Sequence, residues 1–225
     1  MHQRIVELLT ALGFAMAAIC FYWYWQSSAV PVLLLALVTF GMSYDFLNHV
    51  LGARFPEADH FLQDYARLNF AALCFGIPFT AYAGTFVMAQ VVPDGFSATL
   101  ARYYLPVLHV SVIFGLLFLF ARYKRVEIEG AVEYVLNKDH SYTRTIFILR
   151  RVLLAASLLI AIAVILDGWG SDYQYWSLLF FGVFVSSIPL HIMHKQIPSM
   201  FSELFTQGIA MYATWRIFVA GVPAG

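Results

Sequence analysis

LLTALGFAMAAICFYWYWQSSAVPVLLLALVTFGMSY, residues 8–44, runs without one charged side chain. A helix of about 20 apolar residues covers the hydrocarbon core of a bilayer, so this stretch is long enough for two crossings. Charge-free stretches recur from Leu68 to Pro93, from Tyr103 to Ala121 and from Tyr173 to His194, each long enough for one. The 13 basic and 13 acidic residues are crowded between them. With 61% hydrophobic residues, 17% aromatics and a mean hydropathy of +0.75, the composition departs from the roughly 45–50% apolar usage of soluble domains.

Seven helices are expected, at about 5–25, 29–50, 66–91, 98–121, 144–166, 174–192 and 200–221. Backbone amides find no water in hydrocarbon, so spans are helices or closed barrels, and unbroken apolar runs lack the alternation of a barrel. The fold class read from the sequence is therefore all-α: a polytopic integral membrane protein, a seven-transmembrane helix bundle forming one membrane domain over 1–225. The seventh span carries Glu203 and Arg216 near its ends and Gln207 within it, which the reach of long side chains toward the interface tolerates.

Basic residues set the orientation. With seven spans, the amino terminus and the loops after spans two, four and six share one side. That side holds Arg4, Arg54, Arg67, Arg122, Lys124, Arg125, Lys138, Arg144, Arg150, Arg151 and Lys195, against Arg102 and Arg216 on the other. The positive-inside rule then puts the amino terminus in the cytoplasm and the carboxyl terminus outside, in a cell inner (plasma) membrane. Tyr22 to Trp25 close the first span, and Trp169, Tyr173, Tyr175 and Trp176 bracket an outer turn, as an interfacial belt does. The first helix is expected to stay in place, because it ends in FYWYWQ rather than in a small-residue cleavage site. Cys20 and Cys74 lie in spans and offer no disulfide framework. Membrane lipids are the expected partners, with a second copy of the chain or a membrane-complex subunit as a further one. Zero formal net charge gives no reason to expect nucleic acid.

The loops on the basic side have local character. Phe55-Pro56-Glu57 is expected to open a helix, with Phe61, Leu62, Tyr65 and Leu68 forming an interfacial ramp into span three. Val126, Ala131, Val132, Val135 and Leu136 are expected on one face of a second amphipathic piece, with Glu129 and Glu133 opposite. Asp139 or Ser141 would cap the helix that follows. A repeat is also suggested by Phe40-Gly41, His49 and Pro56 against Phe181-Gly182, His191 and Pro198. It would divide the chain into a triplet over 1–92, a linking helix over 96–122 and a second triplet over 141–225, an arrangement familiar in transporters.

The candidate chemistry gathers on the same side. Asp45 and His49 are four apart in span two, and His191 and His194 are three apart at the end of span six, so each pair shares a helical face. Three imidazoles and a carboxylate suit zinc, iron or manganese as cofactor. The plainer reading has His191 and His194 at the interface and Asp45 bonded to a neighbouring helix. His109, buried in span four by this reading, marks either a pathway or an imidazole bonded to a backbone carbonyl freed by Pro106. Asn69, Ser186 and Ser187 are further polar groups within spans. Arg67 is placed to pair with Asp64, while Asp59-His60 and Asp139-His140 read as solvated. Pro78, Pro106 and Pro189 mark bends.

Three functions follow. Movement of a small solute or ion through the bundle is the first reading, and it requires a cavity reaching the midplane. A metal-dependent enzyme acting on a lipid or apolar substrate at the cytoplasmic face is the alternative, with Asp45, His49, His191 and His194 as ligands. A non-catalytic subunit of a membrane complex is the third. The seven-span metal hydrolases of the progestin and adipoQ receptor and alkaline ceramidase group place a histidine pair in the last span, whereas Phe201 to Val219 holds none. That span also has no lysine for a retinal Schiff base.

Overall fold

The computed structural model describes residues 2–192 and 196–221, with the side chains of residues 2, 75–77, 187–192 and 196 left out. It is mostly helical, 81%. Among the described residues, eight α-helices follow in order: α1 His2–Ser27, α2 Val30–Arg54, α3 Asp59–Val91, α4 Phe96–Arg102, α5 Tyr104–Leu119, α6 Ser141–Gly168, α7 Gln174–Ile192 and α8 Gln196–Thr214, which is followed by a π turn over Trp215–Val219. Strands β1 Tyr123–Ile128 and β2 Ala131–Leu136 stand between α5 and α6.

Helix occupies every stretch where the apolar runs predict it. Among the described residues, four helices, α1, α2, α3 and α6, are long and apolar enough to cross a membrane, or five if the bent pair α4 and α5 counts as one span. Outward-facing apolar side chains agree with that reading: Leu8 and Leu12 on α1, Ile113 and Leu116 on α5, and Val152, Leu159 and Leu166 on α6 are all exposed. A soluble domain buries such a set, whereas a bilayer solvates it. Small residues line the packed faces, among them Ala36, Ala81, Ala161, Ala210 and Ala213, each fully buried. Where the hydrophobic drive between helices is weak, such residues let backbones approach and gain dispersion contact.

Four expectations about the elements need correction. The span over 98–121 is broken, since α4 and α5 meet at an angle of 59° around Tyr103. Pro106 lies in the first turn of α5, where its missing amide costs nothing but where it cannot continue the ladder from α4. The segment 126–136 is an antiparallel hairpin rather than an amphipathic helix, pairing Tyr123 with Leu136 through to Ile128 with Ala131. Glu129 and Gly130 both take positive φ, 50° and 85°, which matches the twist of a two-residue hairpin turn. The β-branched Val126, Ile128, Val132 and Val135 suit the strands that flank it.

The other two corrections are at helix starts. Pro56 and Glu57 form a turn, and α3 begins at Asp59, which is the acid of its first turn. Neither Asp139 nor Ser141 caps α6; His140 holds that position with no side-chain bond. The ramp is continuous with span three as one helix of 33 residues, with Leu62 and Tyr65 turned inward and Phe61 and Leu68 outward. Helix α3 runs through Pro78 and α7 through Pro189 without a break.

The hairpin lies across one end of the bundle, with β2 inside. Ala131 to Tyr134 are all buried, whereas most of β1 is open. Its docking depends on Gly52: a Cβ there would stand 1.9 Å from the carbonyl oxygen of Val132. Tyr123, Val132, Tyr134 and Leu136 join Leu62, Ala66, Phe118 and Ile146 in one apolar cluster beneath it.

A polar cavity beneath the hairpin

Helix α2 presents Asp45, Asn48 and His49 to the space under β2, at i, i+3 and i+4 and hence on one face. Asn69 of α3, Arg150 of α6 and Ser199 of α8 meet them there, with Glu133 above and Lys124 and Lys138 at the rim. Together these groups enclose a cavity of about 250 Å³. Asp45 is nine residues from the end of α2, Asn69 ten from the start of α3 and Arg150 nine from the start of α6. At 1.5 Å per residue, all three stand about 14 Å in from the helix ends.

His49 and Glu133 are 4% and 9% exposed, with Nδ1 of the imidazole 2.7 Å from Oε1 of the carboxylate. That contact ties the hairpin to α2 one turn before Gly52. Asn69, 1% exposed, donates through Nδ2 to Oδ1 of Asp45. Its own carbonyl oxygen is buried with no hydrogen-bond partner. The guanidinium of Arg150 lies over the Phe70 ring, 5.2 Å from its centre, and Lys138 lies 4.0 Å from that of Phe147. Among the described residues, no carboxylate comes within ion-pair distance of Lys124, Lys138 or Arg150. Burial pushes the phenols of Tyr123 and Tyr134 up from the usual tyrosine range, so both remain neutral; Tyr123 donates to the Phe118 carbonyl at 2.9 Å.

From this cavity a row of polar side chains enters the bundle. Ser199, Glu203 and Gln207 are spaced by four along α8, one above the other on a single face. Ser199 lines the cavity and donates to Oε1 of Glu203 at 3.0 Å. Gln207 is fully buried, accepts from Thr39 at 3.2 Å and donates to Thr80 at 3.3 Å and to the Met42 sulfur at 2.9 Å. Ser43 extends the set by donating to the Thr39 carbonyl at 2.7 Å. Eight residues of α8 span about 12 Å, and Thr39 lies near the middle of α2. The polar row therefore extends from the cavity to mid-depth.

Of the sequence candidates, Asp45, His49 and Asn69 come together here. His109 does not, because it is exposed on α5 with Nδ1 donating to the Leu105 carbonyl at 2.7 Å. The carbonyl freed by Pro106 belongs to Arg102, so the bond forms to a different one. Ser186 also points outward and links α7 to α8 through Ser202 at 3.0 Å. His194 and the side chains of Ser187 and His191 lie outside the described residues. Among the described residues, no three histidine, cysteine or carboxylate side chains gather as a metal site. Arg67 and Asp64 pair at 2.6 Å as their spacing predicts, and Asp59, still half exposed, also pairs with Arg125 at 3.0 Å.

Sequence reading missed Glu133, Arg150, Lys124 and Lys138 as cavity residues. Glu133 was hidden by the helical interpretation of its segment. The spacing of Ser199, Glu203 and Gln207 was a visible signal, three polar groups on one face of an otherwise apolar helix. Comparison with known proteins finds no matching family model and no similar curated protein.

Proposed function

We propose that this chain moves a small solute or ion across the membrane, loading it in the cavity beneath the hairpin and passing it along the Ser199–Glu203–Gln207 face. In this reading the bundle has seven spans with the amino terminus in the cytoplasm, and the hairpin end faces the cytoplasm as its basic residues favour. The membrane is the cell inner membrane. The observation that carries the proposal is the polar row from the cavity to Gln207. Ionisable and amide groups inside a span are costly and gather where a water-accessible path or a partner accepts them. The cavity is at the loading end, and the Thr39, Thr80 and Gln207 cluster stands at the depth where transporter sites form.

Stopped-flow light scattering of proteoliposomes, run with a panel of small anions, cations and neutral solutes, tests this reading. At least one solute is expected to equilibrate faster than in protein-free vesicles. Glu203→Gln and Gln207→Leu are expected to reduce that rate at least tenfold, and Glu7→Gln, at the exposed Arg54 pair, to leave it unchanged. Equal rates with and without protein for every solute would overturn the proposal.

A further inference from the structure

We infer that the ligand of the hairpin cavity is a small phosphate ester that also carries a hydroxyl or ammonium group, and this rests on reading the cavity as a loading site. Three observations select that chemistry. Lys124, Lys138 and Arg150 bring three cations to one cavity, against two carboxylates, Asp45 and Glu133. Both carboxylates already have partners, Asn69 and His49, whereas the three cations face no described carboxylate at ion-pair distance. A group with several anionic oxygens answers cations arriving from β1, from the segment after β2 and from α6, and the planar fork of Arg150 matches phosphate geometry.

The second part of the ligand is set by Asn69. Its amide donates to Asp45, which leaves the carbonyl oxygen at the buried wall as an acceptor with no donor. Buried acceptors are normally satisfied, and a hydroxyl or ammonium on the ligand supplies the missing bond. Size agrees, since about 250 Å³ falls below the roughly 300–1,000 Å³ of drug-sized pockets and suits a headgroup or a small ester. The same chemistry occurs in a phospholipid headgroup and in a free phosphate ester.

Calorimetric titration of the purified protein with glycerol 3-phosphate and with phosphoethanolamine tests the free form. Native mass spectrometry from micelles doped with phosphatidylglycerol or phosphatidylethanolamine tests the lipid form. Binding of a soluble ester assigns a free ligand, and retention of lipid alone assigns a headgroup. In either case Arg150→Gln, and independently Lys138→Gln at the exposed rim, are expected to weaken binding at least fivefold. Asn69→Leu is expected to weaken the ester by a larger factor than it weakens sulfate, an anion with no donor. Neither form binding, or binding indifferent to both cation substitutions, would overturn the inference. Binding without solute flux would spare it while removing the transport reading, and flux of a solute lacking phosphate would do the reverse.

Discussion

A carboxylate and an imidazole in contact under a hairpin make a buried pair whose halves depend on each other. Glu133 and His49 are each less than a tenth exposed, so removing one costs the other a short, buried polar contact. His49→Ala is expected to destabilise the protein by about 1–3 kcal/mol, the usual cost of removing one partner from a buried polar contact. The double replacement His49→Leu with Glu133→Leu is expected to recover much of that loss, because an apolar pair needs no compensation. Unfolding in detergent of His49→Leu, Glu133→Leu and the double variant, read as a double-mutant cycle, checks the coupling, with His49→Ala alongside; additive losses would show that the contact carries no energy. At this scale the sequence was readable where a polar residue interrupts an apolar run. Asp45, His49 and Asn69 stood out that way and do share the cavity. Arg150 and Lys138 did not, because a basic residue beside an apolar run looks the same in sequence whether it serves the headgroups or a cavity.

Among the elements, the hairpin organises the site, and Gly52 decides whether it docks. A side chain at that position would collide with the backbone of Val132 rather than with a flexible group, so the strand has to move. Gly52→Val is expected to lift β2 from α2, break the His49–Glu133 contact and open the segment 122–137 to protease, while the helical signal in circular dichroism stays intact. Unchanged cleavage would place the hairpin's hold elsewhere. The long apolar helices were legible because a continuous apolar run has one stable answer in hydrocarbon. The hairpin was not, because Val126, Val132 and Val135 fit a helical face and a strand alternation almost equally. Glu129-Gly130 was the deciding signal, a pair suited to positive φ between β-branched residues. The break between α4 and α5 was likewise concealed, since Pro106 sits within an unbroken apolar run.

Across the whole molecule, the charge pattern and the polar row point to the same end. Arg122, Lys124, Arg125 and Lys138 lie in the hairpin or beside it in the chain and Arg54 ends α2 two residues after Gly52, while Ser199, Glu203 and Gln207 carry polar groups from the cavity along α8 to the Thr80 and Thr39 contacts. Composition made the membrane class legible; the cavity depended on contacts between α2, α3, α6, α8 and β2 that no local pattern encodes. The central claim is that water and solute reach Glu203 from the hairpin side. The most direct measurement is cysteine accessibility in sealed vesicles, with Cys20→Ala and Cys74→Ala as background and single replacements Ser199→Cys, Glu203→Cys and Gln207→Cys. A small membrane-impermeant thiol reagent applied from the hairpin side is predicted to modify positions 199 and 203 readily and position 207 more slowly. Reaction at 199 alone, with 203 and 207 inert from both sides, would contradict the account by showing a closed pocket with no path beyond it.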